Sequence, residues 1–224
     1  MDISEAIQKR KSIRSFKPDP VSDDLLKQIL AEAVRAPSWA NTQPWEFVVA
    51  NGTVLEKIKK EYLAGMSISR KSDIPPPPYF PEKYADRIRE LDKLNRLNTK
   101  DDWDRRRVQN YSLYGAPVAI YIMMERDFYY QTKRNNVWAL YDCGAVANNI
   151  MLLAVKYGLG TIALADAVVY PDILRNLLEI PESKIMVLGI AVGYPDWDHP
   201  LNQFRTDRET LGSIVTWRTG QVLE

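Results

Sequence analysis

Pro37-Ser38-Trp39-Ala40-Asn41-Thr42-Gln43-Pro44-Trp45 packs two hydroxyls and two carboxamides between two prolines, and the sequence changes its period across it. Upstream, Leu25, Leu26, Ile29, Leu30, Ala33 and Val34 recur at the spacing of an amphipathic helix, with Ser22 as the N-cap and Pro37 as the stop. Downstream, Trp45, Phe47 and Val49 alternate with Glu46 and Val48, which reads as a strand. The nine residues are therefore a helix-to-strand turn, and turn-favouring residues alone would account for them.

Working outward, Ile3, Ala6 and Ile7 predict a short helix that runs into the basic stretch Lys9-Arg10-Lys11-Ser12-Ile13-Arg14. On the other side, Val54, Leu55, Ile58, Tyr62 and Leu63 continue the strand into a helix. Gly65, the run Pro75-Pro76-Pro77-Pro78 and Pro81 then impose a loop over 65–83. Residues 82–111 are charge-rich with Leu91, Leu94 and Leu97, a helical excursion with a solvated face. Residues 65–112 are thus an insertion that either covers the surface or closes as a lid. Residues 116–124 read as a buried strand and 135–157 as a helix apolar on nearly every face, suited to a core or a subunit interface. A strand over 161–165, a proline-initiated helix over 171–178, a strand over 185–192 and a polar surface tail from His199 complete the chain. Strands and helices alternate, so the class is α/β or α+β, a sheet covered by helices in one domain.

Bulk properties narrow the chemistry. The 224 residues carry 46% hydrophobic and 26% charged side chains, an ordinary globular balance. The 116–124 run is too short to span a bilayer, and acidic residues at the N-terminus argue against a secretory signal, so a cytoplasmic protein away from membranes is expected. With one cysteine, Cys143, no intramolecular disulfide or thiolate cluster can form, no metal site is expected, and redox chemistry requires a bound group. The single histidine, His199, reads as a surface loop residue rather than part of a hydrolytic triad. The formal net charge of +1 offers no field to nucleic acid, and Arg105-Arg106-Arg107 lies beside Asp101, Asp102 and Asp104 as a self-compensated helix face.

Three polar clusters remain: Arg10-Lys11-Ser12-Ile13-Arg14, the turn between Pro37 and Trp45, and Asn202-Gln203-Phe204-Arg205-Thr206-Asp207-Arg208 after Gly193-Tyr194-Pro195. Each has a bland reading as a helix end, a turn or a charged tail. Together, in this order, they resemble the flavin-binding segments of the nitroreductase family over nearly the whole chain. That resemblance implies an α+β fold with a central, mostly antiparallel sheet flanked by helices and completed by dimerisation. It also implies FMN, with NADH or NADPH as donor and a small electron-poor acceptor such as a nitroarene or quinone.

By the same resemblance Arg10, Ser12 and Arg208, with Arg205 nearby, hold the FMN phosphate, for which arginines are suited because they stay charged and bind oxygens bidentately. Arg14 falls at the ring edge. Ser38 and Asn41 contact the flavin from the partner subunit, and Pro37 and Gln43 of the same turn are carried over as cofactor-binding residues. Ala165 and Asp166 fall where the family sets a backbone N–H against flavin N5; better-known members carry glutamate and glycine there, so a side-chain role is not carried over. Cys143 reads as a small core residue, and Trp39 and Tyr79 as packing aromatics or stacking surfaces for a planar substrate. Dehalogenation, enoyl reduction and flavin modification occur on the same fold, and a flavin-holding protein without turnover is the reading from outside the enzymes.

Overall fold

The structure, a computed structural model, describes residues 1–94, 100–203 and 205–218. Strands β1 (Glu46–Asn51), β2 (Val118–Glu125), β3 (Gly160–Leu164) and β4 (Lys184–Gly193) form one sheet in the order β1-β2-β4-β3, every neighbouring pair antiparallel. The helices are α1 (Ile3–Lys9), α2 (Asp23–Ala33), α3 (Gly52–Ala64), α4 (Glu82–Leu94), α5 (Lys100–Tyr111), α6 (Arg126–Tyr129), α7 (Val137–Lys156), α8 (Pro171–Leu178) and α9 (Leu211–Ile214). The fold is α+β, as the family resemblance implies, and the antiparallel pairing decides between the two classes the residue pattern left open.

The central strand β2 is buried along Val118 to Met124 because helices cover both sheet faces. On one face Leu55, Ile58, Tyr62, Tyr121 and Leu174 pack beneath α3 and α8. On the other, Leu26, Ile29, Ile120, Ile122, Val146 and Ile150 pack beneath α2 and α7. Ser22 caps α2 by accepting from the Leu25 N–H at 3.3 Å. α2 ends at Ala33, short of Pro37, because the residue before a proline is pushed out of helical geometry.

α7 is long and apolar enough to cross a membrane by length and composition. It buries Ala139, Cys143, Val146, Ala147, Ile150 and Ala154 against the sheet and α2, as a core helix does. Its other side leaves Val137, Trp138 and Tyr141 between 51% and 66% exposed.

The charged excursion resolves into α4 and α5, with Leu97 outside the described residues. α4 buries no side chain, while α5 buries only Tyr111, whose ring meets Tyr62 and Tyr170 edge-on at 5.8 and 5.7 Å. The preceding loop is pinned by Asp73, which is buried with Arg175 at 2.7 Å and accepts the Met186 N–H at 2.8 Å.

At the β3 edge the basic N-terminal stretch lies alongside the sheet. Ser12 bridges Thr161 in parallel, and the Ile13 N–H donates to the Thr161 carbonyl at 2.9 Å. Only glycine permits this approach, since a Cβ on Gly160 would sit 2.5 Å from Ile13 Cγ1.

Candidate functional site

The N-terminal stretch and the C-terminal segment meet through one buried amide. Asn202 accepts the Arg14 N–H at 2.7 Å and donates to the carbonyls of Ser15 and Asp196, each at 2.8 Å, while its own carbonyl accepts from Lys11 Nζ. His199 is half-buried rather than a plain surface residue: its Nδ1 accepts the Leu201 N–H at 3.2 Å and caps the turn that carries Asn202. With the segments so joined, residues of both line one cleft.

The cleft, of about 490 Å³, is lined by Arg10, Lys11, Ser12, Arg14, Arg205 and Arg208 over the apolar floor of Ile7 and Leu152. Among the described residues no carboxylate lies in ion-pair range of Arg10, Arg205 or Arg208. Arg208 Nη1 is held by its own segment, donating to the Thr206 and Asp207 carbonyls. Burial and the facing Arg208 and Arg205 guanidiniums pull Arg10 below the ordinary arginine range, and burial with Arg205 does the same to Lys11. Cations concentrated in this way without counter-charge favour an anion between them.

β3 leads from this cationic end to a second cluster. Ser12 sits beside Thr161, and four residues further on the chain enters the tight turn Ala165–Val168, about 13 Å away at strand rise. Arg14 lies along the same direction because the pairing is parallel. Burial lowers its pKa most; Tyr114, which hydrogen-bonds it, acts in the opposite direction, and Arg106 adds to the lowering. Burial raises Tyr114, opposed by Arg106 and Arg14. Leu113, Tyr114 and Gly115 all have positive φ, at 52, 55 and 78°, a strained presentation for the first two of the kind that gathers at functional sites.

Asp166 departs from the expectation of a backbone role alone. Its carboxylate accepts from Arg70 Nη1 at 3.1 Å and from Asn110 Nδ2 at 2.7 Å, tying the turn to the 65–112 region. Tyr62 supports the turn from behind by donating to the Ala167 carbonyl at 2.8 Å. Ala165 is exposed beside it.

The turn between Pro37 and Trp45 is elsewhere in the chain and lines none of this cleft. Ala40, Asn41 and Gln43 are left-handed at φ 47, 60 and 46°. Ser38 Oγ accepts the Gln43 N–H at 3.0 Å, and Gln43 Nε2 reaches the Asn41 carbonyl at 3.4 Å, so two of the candidate side chains help close their own turn. Asp142, buried in α7, accepts the Trp39 N–H with both oxygens at 3.2 and 3.1 Å and fixes the turn to that helix. Trp39 stacks obliquely on Trp138 at 5.1 Å and remains 59% exposed, extending the apolar face of α7. Pro37 and Asn41 are also exposed.

Cys143 is buried, and its thiol is pushed up to about 12 by burial and then by Asp142, so it is a core residue without thiolate chemistry. Arg105 pairs with Asp102, and Arg107 lies 3.8 Å from Asp104, as the compensated face predicts. Arg106 corrects that prediction, because no carboxylate is in ion-pair range of it among the described residues and its Nη1 is buried without a hydrogen-bond partner. Sequence reasoning passed over Asp142 and Tyr114, named Asn202 only as part of a polar cluster, and read Arg106 as compensated. An acid inside the apolar run of α7 is the one signal that would have exposed Asp142, since buried charge demands a partner.

Residues 7–194 match the model of the nitroreductase family. The chain is 30% identical over 226 residues to nitrobenzene nitroreductase of Ectopseudomonas oleovorans, covering 96% of each. It is 27% identical to 4-nitrobenzoate reductase of Pseudomonas putida, over 93% of this chain and 92% of that one. Among solved structures, the FMN and NADPH-dependent nitroreductase NfnB of Sphigopyxis sp. strain HMH superposes with a TM-score of 0.84 at 26% identity, over 98% of this chain and 100% of that one. With the family's model matched over most of its length, this chain belongs to the nitroreductase family.

Proposed function

We propose that the protein is an FMN-dependent oxidoreductase that takes electrons from NADH or NADPH and delivers them to a small electron-poor acceptor such as a nitroarene. The observation carrying this reading is the set of un-neutralised cations, Arg10, Lys11, Arg205 and Arg208, gathered around one cleft beside Ser12. Such a set fits a terminal phosphate dianion, which each guanidinium meets with two N–H groups. FMN, when bound, supplies a two-electron carrier for hydride exchange. Arg10, Ser12, Arg205 and Arg208 would hold its phosphate, Arg14 would supply positive charge to the ring, and the backbone at Ala165 and Asp166 would offer the ring a hydrogen bond. The 65–112 region serves as a lid, anchored by Asp73 and by the Asp166 contacts to Arg70 and Asn110.

The site is shared between two copies, with Pro37, Ser38, Asn41 and Gln43 supplied by the partner. Two features support this: the turn lies outside the cation-lined cleft of its own chain, and Val137, Trp138, Tyr141 and Trp39 form an exposed apolar face that a second copy would cover.

Titrating purified protein with FMN and following NADH and NADPH oxidation with nitrobenzene tests the activity. Saturable FMN binding with nitrobenzene-dependent turnover is expected; a protein that binds no FMN would overturn the reading. For the shared site, Arg10→Ala homodimers and Ser38→Ala/Asn41→Ala homodimers are each expected to be nearly inactive. In the mixed dimer one site carries every substitution and the other none, so subunit exchange should restore activity. Confirmed exchange without recovery would confine each site to one chain.

A further inference from the structure

We propose that Arg106 selects electron acceptors that carry an anionic substituent, a carboxylate above all. The inference rests on the FMN reading above and adds to it a specificity residue from the 65–112 region.

Three consecutive arginines on α5 have different surroundings. Arg105, itself exposed, pairs with the half-buried Asp102, and Arg107 turns inward, donating to the Met66 carbonyl at 2.8 Å and lying over the Tyr111 ring at 5.9 Å. Arg106 makes no ion pair among the described residues, and its Nη1 is out of water with no acceptor. A buried guanidinium N–H without a partner forfeits its hydration and gains nothing in exchange. Among the described residues no acceptor completes it, and an incoming acceptor would.

Helical geometry fixes the direction in which Arg106 points. Asn110 stands one turn later on the same face of α5, and its side chain reaches Asp166 at 2.7 Å. Arg106 is therefore aimed towards the same end of the site, and it acts electrostatically on both Arg14 and Tyr114 there. Other charges face the same space. Asp166 is negative but already bound by Arg70 and Asn110, and Asp92 on α4 lies near enough to feel Arg106 without forming a pair. Asp92 offsets part of the charge, and the two guanidiniums of Arg14 and Arg106 leave the space net positive. Arg14 faces the ring edge, so the guanidinium left for an incoming anion is that of Arg106. A carboxylate accepts two parallel N–H bonds from a guanidinium, a fit that a neutral amide of the same shape does not reproduce. Trp103, one turn earlier and 44% exposed, places an aromatic plane on the same helix face.

The test uses the FMN-loaded protein without pyridine nucleotide, so that binding is read apart from turnover. 4-Nitrobenzoate and the near-isosteric, neutral 4-nitrobenzamide are each titrated by calorimetry into wild type, Arg106→Gln and Arg106→Lys, after FMN loading has been measured for each. Wild type is expected to prefer the carboxylate. Arg106→Gln should weaken 4-nitrobenzoate by about tenfold or more, the loss expected for a hydrogen bond to a charged group, and leave 4-nitrobenzamide nearly unchanged. Arg106→Lys should retain much of the preference, because the charge persists. Equal weakening of both compounds, no weakening of either, or a wild type without preference would overturn the inference while FMN loading stands. A fall in the flavin reduction potential of Arg106→Gln with equal loss for both compounds would assign Arg106 to the ring instead. Failure of wild type to load FMN would overturn the FMN reading and this inference together.

Discussion

Two regions of the molecule are dense in cations and treat them in opposite ways. On α4 and α5 most cations have an acid beside them: Arg89 with Glu82 and Asp86, Lys93 with Glu90, Lys100 with Asp104, Arg105 with Asp102. In the cleft, Arg10, Arg205 and Arg208 face one another with no carboxylate in range among the described residues. Exposed pairs contribute little, because water already screens the charges and two long side chains must be held still. Un-neutralised cations in a cleft cost stability and return it only when an anion arrives. Clustered positive charge alone therefore does not mark a site; positive charge without an internal counterion does.

The largest effect should come from a third situation, a pair removed from water. Asp73→Ala would remove the shortest ion pair of Arg175, leaving it Asp172 and Glu182, and release the Met186 N–H, for an expected loss of about 3 kcal/mol in denaturant unfolding. A loss no greater than that of a surface pair would show that solvent reaches Arg175.

Arg10→Ala probes the cleft itself and should move two quantities in opposite directions. FMN affinity should fall by about 1.5–3 kcal/mol, while the FMN-free protein should be as stable as wild type or more so, since a repulsion has been relieved. If the FMN-free protein is less stable, Arg10 is part of the fold rather than an anion ligand. Lys93→Ala, the matched change on α4, should alter neither FMN affinity nor the melting midpoint.

This contrast also explains which parts were readable from sequence. Pairs on α4 and α5 follow from spacings of three and four residues, which helical geometry converts directly into contact. Helix α8 was readable to the residue because Pro171 opens it. The all-antiparallel order β1-β2-β4-β3 was not, since apolar runs reveal burial and not pairing direction. The grouping of residues 10–14 with 205–208 came from resemblance to a family, because local patterns do not show which distant segments meet. Arg106 was misread for a related reason: acids within four residues were read as compensating all three arginines, but Asp102 pairs with Arg105 and Asp104 lies in range of Lys100 and Arg107.

Asn202 bears on how the protein is made. Its bonds to Lys11, Arg14 and Ser15 close loops of about 190 residues, among the longest this chain contains. During synthesis the basic stretch that follows α1 emerges first, and its intended neighbours are then still untranslated. The β3 edge it lies against appears some 150 residues later, and Asn202, Arg205 and Arg208 later still. Closure of so long a loop is entropically uphill until its last contacts form. The nascent chain must therefore carry Arg10, Lys11 and Arg14 to the end of translation without their final setting, and the cation-lined cleft assembles among the last events of folding.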